Sequence, residues 1–482
     1  MDDASRTPTD LTLMDACALA DAIRARKVSC VEVMTAFLDR IERLNPTVNA
    51  IVSLQDRGRS LAQARERDDE LARGEHRGWM HGFPQAIKDL APAAGFPLTK
   101  GSPLFGEVSK EDGIFVARMR RAGAIVIGKT NTPEFGLGSQ TYNPVFGPTL
   151  NAYDQAKTAG GSSGGAAVAL ALRMLPVADG SDHGGSLRNP AAFNNLFGFR
   201  PSYGRVPANA EEVFLPQLSV AGPMARTVPD LARLLSVMAG YDARLPFSID
   251  EDPAVFAEPL KRDVKGLRLA WFGDLGGHLP MEPGILDLCR SALKVFEDMG
   301  CVVEEVVPDF DPERIWQAWL PLRHWQTGAP LLEFFRDPEK RARMKPEGQW
   351  EIEEGLKLSA YDIAKASGVR SAWYQTVRRL FERYDYWLLP SAQVFPFDVS
   401  TPWPKEIAGR RMDTYHRWME VVIPATMSGC PAISVPVGFG GNGLPMGMQI
   451  VGRNRGELAV LQLAHAYDEA TGWVQRKPPP LA

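Results

Sequence analysis

Two glycine-serine loops flank one short apolar segment in this chain: Gly160-Gly161-Ser162-Ser163-Gly164-Gly165 before it and Gly180-Ser181-Asp182-His183-Gly184-Gly185-Ser186 after it. Seven glycines in these two loops are more than turns alone require. Glycine admits positive φ and lets main-chain N–H groups approach a ligand closely, which is how a backbone oxyanion hole is built. The consecutive amides of His183, Gly184, Gly185 and Ser186 are candidates to face an oxyanion on a carbonyl attacked by Ser186. The Ala/Val/Leu-rich stretch between the loops reads as a buried helix, so the rest of the chain must supply a large core around it.

The 482 residues suffice for such a core, in one to three domains by length alone. Residues 1–10 read as a frayed tail. From Leu13 to about Leu71 the apolar spacing predicts two or three amphipathic helices, interrupted at Asn45-Pro46 because a residue before proline avoids the α region. An α/β rhythm follows: a strand over Gln85–Leu90, a helix over Ile114–Ala122 and a strand over Ala124–Ile127. Strand, helix and strand recur at Leu267–Trp271, Ile285–Met299 and Val302–Val307. Two strands, Ile433–Phe439 and Met446–Val451, surround Gly441-Asn442-Gly443, and Glu457–Glu469 closes the chain as a helix. The mainly helical stretch 316–418 holds eight of the eleven tryptophans, either as core packing or as a pocket wall. The predicted class is α/β.

Charge excludes some partners. Lys and Arg number 54 against 58 Asp and Glu, a formal net charge of −4, so no electrostatic pull on nucleic acid or an anionic membrane is expected. The five cysteines are far apart and lack a C-x-x-C pair, which argues against a disulfide framework or a thiolate zinc site. With no basic-then-apolar leader and no run of 18 apolar residues, the expectation is a cytoplasmic protein.

Several motifs compete for the chemistry. Gly123 to Thr130 matches G-x-x-x-x-G-K-T, but its variable positions are themselves an apolar β-branched strand, whereas a phosphate loop needs free amides there. Gly160-Gly-Ser162-Ser-Gly164 matches the G-x-S-x-G elbow, yet His278, His324, His416 and His465 lack a marked turn context. A local Asp182-His183-Ser186 relay asks residues of one loop to point at each other. Ser291 and Lys294 share an ordinary amphipathic helix. Lysine is the other base that can serve a serine, because burial disfavours its charged form. Lys88 and Lys129 both lie in apolar strand contexts, and Asp89 beside Lys88 would point to the opposite face.

Taken together these segments resemble the amidase signature family over nearly the whole chain. The match is carried by Gly82-Phe83-Pro84 leading to Lys88-Asp89, by Gly128-Lys129-Thr130-Asn131-Thr132-Pro133-Glu134-Phe135, by the two glycine loops continuing into Leu187-Arg188-Asn189-Pro190-Ala191, and by Gly222 to Arg226, Gly429 to Pro436 and Gly443 to Gln449. The resemblance implies a large mixed central β-sheet covered by helices on both faces. It implies one domain over 1–482: a helical layer over about 1–75, a catalytic core over 76–240, a variable substrate region over 241–420, and closing strands and helix over 421–482. It also implies a triad with Ser186 as nucleophile, Ser162 as bridging serine on a cis peptide and Lys88 as base, with Asp182 and Arg188 bracing the loop. No cofactor or metal is expected. The implied substrate is a small hydrophobic or aryl amide, with carbamates, esters or the glutaminase role in a tRNA-dependent amidotransferase complex as alternatives. Related enzymes are often homodimers. His183 departs from the family pattern, which often has threonine or another small or apolar residue there; its imidazole either packs or faces substrate.

Overall fold

The computed structural model describes residues 10–215 and 217–482, so the tail expected over 1–10 lies outside the described residues except for Asp10. A small sheet carries the two strand lysines: β1 (Ile51–Val52), β2 (Pro84–Lys88) and β3 (Ile125–Thr130) lie in the order β1-β3-β2. β2 and β3 run parallel, with Lys88 opposite Thr130, and every residue of both strands is buried. Burial on both faces explains why they read as near-continuous apolar runs. The Gly123-to-Thr130 segment therefore holds a buried strand, as its composition predicted.

The main sheet contains β4 (Ala178–Asp182), β5 (Phe197–Arg200), β6 (Val220–Ala225), β7 (Arg268–Trp271), β8 (Val302–Glu305) and β9 (Tyr386–Pro390). After a separate hairpin of β10 (Glu406–Ile407) and β11 (Arg410–Arg411), β12 (Ala432–Phe439) and β13 (Pro445–Val451) complete it. The order is β4-β6-β5-β12-β13-β9-β7-β8. β7 is parallel to β8 and β9, whereas the other pairs are antiparallel, so the sheet is mixed as expected.

One hydrophobic cluster runs from Ala16 to Val474, with a satellite of Leu331, Phe335, Met344 and Ile352. Trp316, Trp319, Trp373, Trp387 and Trp418 are buried in the main cluster. No helix among the described residues is long and apolar enough to cross a membrane.

One boundary corrects the sequence reading. The helix Cys30–Val48 is not interrupted at Asn45-Pro46 but continues through Pro46. Pro46 forgoes its own bond to the carbonyl four residues earlier, and the helix ends two residues later. The Asn45 side chain accepts from the amides of Ala50 and Ile51 and donates to Ile51 O at 2.7 Å, tying the helix end to β1. Asn49, left-handed at φ 52°, then terminates the helix.

Candidate active site

The predicted helix between the loops is Gly164–Ala171, and all of it is buried. A Cβ on Gly165 would collide with Asn131 N and Ala50 O, so only glycine lets this helix rest against the edge of the small sheet. That contact brings the first loop over the end of β2. The Gly161–Ser162 peptide is cis. Lys88 Nζ lies 2.8 Å from Ser162 Oγ, 2.8 Å from Ser163 Oγ and 3.0 Å from Ser181 Oγ.

Lys88 is fully enclosed. Loss of hydration pushes its pKa down to about 7, against the opposing pull of Asp179 and Asp182. Asp89 lies just past the end of β2, which stops at Lys88 rather than Leu90, and pairs with Lys129 at 3.6 Å instead of Lys88. Lys129 is thereby accounted for as a structural partner, while Lys88 has no carboxylate within salt-bridge distance among the described residues.

Asp182 organises the second loop. It accepts from Gly185 N at 3.0 Å, Leu187 N at 3.1 Å, Arg188 Nε at 3.0 Å and Nη2 at 2.9 Å, and Arg200 Nη1 at 3.1 Å. Burial alone would raise its pKa, but the two guanidiniums hold the carboxyl well below the usual range. Arg188 is fixed in turn by Val422 O at 2.9 Å, Gln449 Oε1 at 2.5 Å and Thr426 Oγ1 at 2.9 Å. Asp182 therefore does not orient His183, and no local Asp-His-Ser relay exists among the described residues.

The four amides of the second loop are not equivalent. The Gly185 N–H donates to Asp182, whereas those of His183, Gly184 and Ser186 have no acceptor among the described residues. An N–H carries one proton, so the loop's own bracing takes Gly185 out of the free set. Ser186 is 6% exposed, and its carbonyl accepts from Ser163 N at 3.2 Å, which links the two loops. No hydrogen bond joins Ser186 Oγ to Ser162 Oγ.

An apolar wall stands over this loop. A Cβ on Gly184 would meet Met419 Cε at 3.2 Å and Trp319 Cζ2 at 3.3 Å. His183 is partly buried and lies edge-on to Trp319, with centroids 6.3 Å apart. Desolvation, reinforced by Arg323 and Arg200, pushes its pKa down to about 3, so the imidazole is neutral. Beyond Trp319, Glu351 binds Arg323 at 2.7 Å, His324 at 2.6 Å and Tyr415 at 2.5 Å.

The other residues singled out in the sequence lie elsewhere. His416 packs on Trp319 at 4.8 Å, His278 pairs with Glu420 at 2.8 Å, and His465 lies 3.7 Å from Glu469. His278, Glu313 and Glu420 bring ligand-type atoms within 4.8 Å of one another, but Arg417 already pairs with both carboxylates, at 2.6 and 2.7 Å. Ser291 donates to Asp287 O on its own helix, and Lys294 pairs with Glu297 and Asp298.

The family profile described as Amidase matches residues 32–461. The chain belongs to the amidase family. An acylamidase of Rhodococcus erythropolis is 33% identical over 478 residues, 98% of each protein. A chain of the glutamyl-tRNA(Gln) amidotransferase of Methylococcus capsulatus is 34% identical over 489 residues, 96% of this chain and 98% of that one. Among solved structures, a bacterial aryl acylamidase of the amidase signature enzymes superposes with a TM-score of 0.90 at 29% identity, covering 97% of this chain and 98% of that one. The chain is an amide hydrolase of mixed α/β fold.

Sequence reasoning left out four contributors to this amidase's site: Ser163 and Ser181 at Lys88, Arg200 at Asp182, and Gln449 at Arg188. Ser163 and Ser181 stand inside the quoted loops, so only their partner was unread. Arg200 had a signal of its own, as a charged residue ending a strand that is otherwise apolar.

Proposed function

We propose that the chain hydrolyses small hydrophobic or aryl amides through an acyl-enzyme, with Ser186 as nucleophile, Ser162 as proton bridge and Lys88 as base. The observation that carries this reading is the buried amine of Lys88 at 2.8 Å from Ser162 Oγ, in a loop bonded to that of Ser186. A neutral amine has two N–H groups and one lone pair. Three hydroxyls around Nζ suit that inventory, with Ser163 and Ser181 accepting and Ser162 donating.

Lys88 Nζ takes the Ser162 proton as Ser162 takes that of Ser186, and Ser186 Oγ bonds to the carbonyl carbon. The free amides of the 183–186 loop stabilise the resulting oxyanion. The C–N bond then breaks, the amine leaves with the proton returned through the same chain, and water hydrolyses the ester.

The wall of Trp319 and Met419 beside Gly184 favours apolar acyl or amine groups. That wall comes from the 241–420 segment, where substrate choice was expected. It also favours the acylamidase-like reading over glutaminase action of the amidotransferase kind. A panel of anilides, aliphatic amides, aryl carbamates, esters and glutamine tests this. Anilide turnover by the lone wild-type chain, abolished in Ser186→Ala and strongly reduced in Lys88→Ala, is the expected result. Ammonia release from glutamine with no anilide turnover would overturn it.

A further inference from the structure

Beside Lys88 lies a cavity of about 280 Å³ lined by Lys88, Asp179 and Ser181, with Tyr203 and Phe247 among its walls. Neither Ser162 nor Ser186 borders it. Asp179 is completely buried, and its two oxygens differ. Oδ2 accepts the backbone N–H of Lys88 at 3.1 Å, whereas Oδ1 has no hydrogen-bond partner among the described residues.

We propose that Asp179 is a positioning residue that acts on the reaction through Lys88, fixing the lysine's backbone and opposing the loss of its proton. This inference rests on the triad reading above. Residues two apart on a strand share a face, so Asp179 and Ser181 reach Lys88 from one side of β4. Asp179 holds its root, and Ser181 holds its tip at 3.0 Å. A single strand face thus sets both the position of the amine and the field in which it titrates.

The charged surroundings are few. Lys88 on β2 and Lys129 on β3 both act on Asp179, with Lys129 paired to Asp89, and Glu212 borders the same cavity. Asp182 belongs to the opposite face of β4 and is held by Arg188 and Arg200. Burial raises the Asp179 pKa, while the Lys88 N–H, Lys129 and the Lys88 amine pull it back toward the ionised form. An ionised carboxylate there favours the ammonium form, so its removal eases deprotonation.

The test is kcat/KM against pH for an anilide, in wild type and Asp179→Asn. Asparagine keeps an oxygen for the Lys88 N–H but removes the charge. The expected result is an acid limb displaced to lower pH by about one unit. Asp179→Ser, smaller and also uncharged, gives the same readout should the asparagine variant not fold. A fall in kcat or melting temperature with the acid limb unmoved would overturn the proposal. Labelling of Ser186 by a sulfonyl fluoride, run in parallel, separates the two levels. A labelled Ser186 with an unmoved limb rejects the role of Asp179 alone, and an unlabelled wild-type Ser186 rejects the triad beneath it.

Discussion

Lys88 Nζ and Ser162 Oγ meet at 2.8 Å across 74 residues of sequence, in a site where the lysine is enclosed and unpaired. A lysine in this state is a base at neutral pH rather than a surface charge. With its pKa down to about 7, the active fraction grows as pH rises through that value. The expected kcat/KM profile has an acid limb centred near 7 and a plateau above it. Lys88→Ala should lower kcat by ~10²–10⁴-fold, measured on any turned-over amide.

The same burial links pH to stability. Lys88 is depressed from an ordinary 10.5 to about 7, so between those values the unfolded chain binds the proton that the folded chain releases. Folding stability contributed by this group therefore rises as pH increases from about 7 to about 10. The difference in unfolding free energy between wild type and Lys88→Met should move in favour of the wild type across that window, as read by urea unfolding at several pH values.

Asp182 gives a slope of the same sign in a more acidic window. Its carboxyl lies below the ordinary 3.8, so its contribution is complete above 3.8 and is lost as pH falls toward the folded value. Asp182→Asn leaves Arg188 and Arg200 buried without their counter-charge. The expected loss is ~3–5 kcal/mol in denaturant unfolding, together with loss of turnover, because the Ser186 loop is built on this carboxylate.

His183 has a different signature. Its imidazole is neutral, with a pKa of about 3, and only its main chain enters the oxyanion hole proposed for this loop. In His183→Ala the acid limb near 7 should stay in place. Room opens beside Trp319, so kcat/KM for a butyryl anilide relative to the acetyl anilide should rise ~10-fold.

Much of this site was legible because its pieces are short and local. Gly160–Gly165 and Gly180–Ser186 announce themselves by composition, whereas the apolar settings of Lys88 and Lys129 mark both as buried amines and only the family resemblance chose Lys88. The partition of the two sheets was less accessible. Nothing near Ser181 reveals that β4 lies beside β2, since Lys88 and Ser181 are 93 residues apart. The engagement of the Gly185 amide was hidden for a similar reason. Its commitment to Asp182 depends on the turn that Gly185 makes at φ +89°, which composition alone does not specify. At Pro46 the local rule lost to a helix end secured by the Asn45 side chain.

The most direct measurement is peptide mapping by mass spectrometry after reaction with a sulfonyl fluoride at about pH 8, above the titration of Lys88. The account predicts one adduct, on Ser186, formed with loss of amide hydrolysis and strongly slowed in Lys88→Ala. An adduct on another residue, or full hydrolysis by Ser186→Ala, would contradict it.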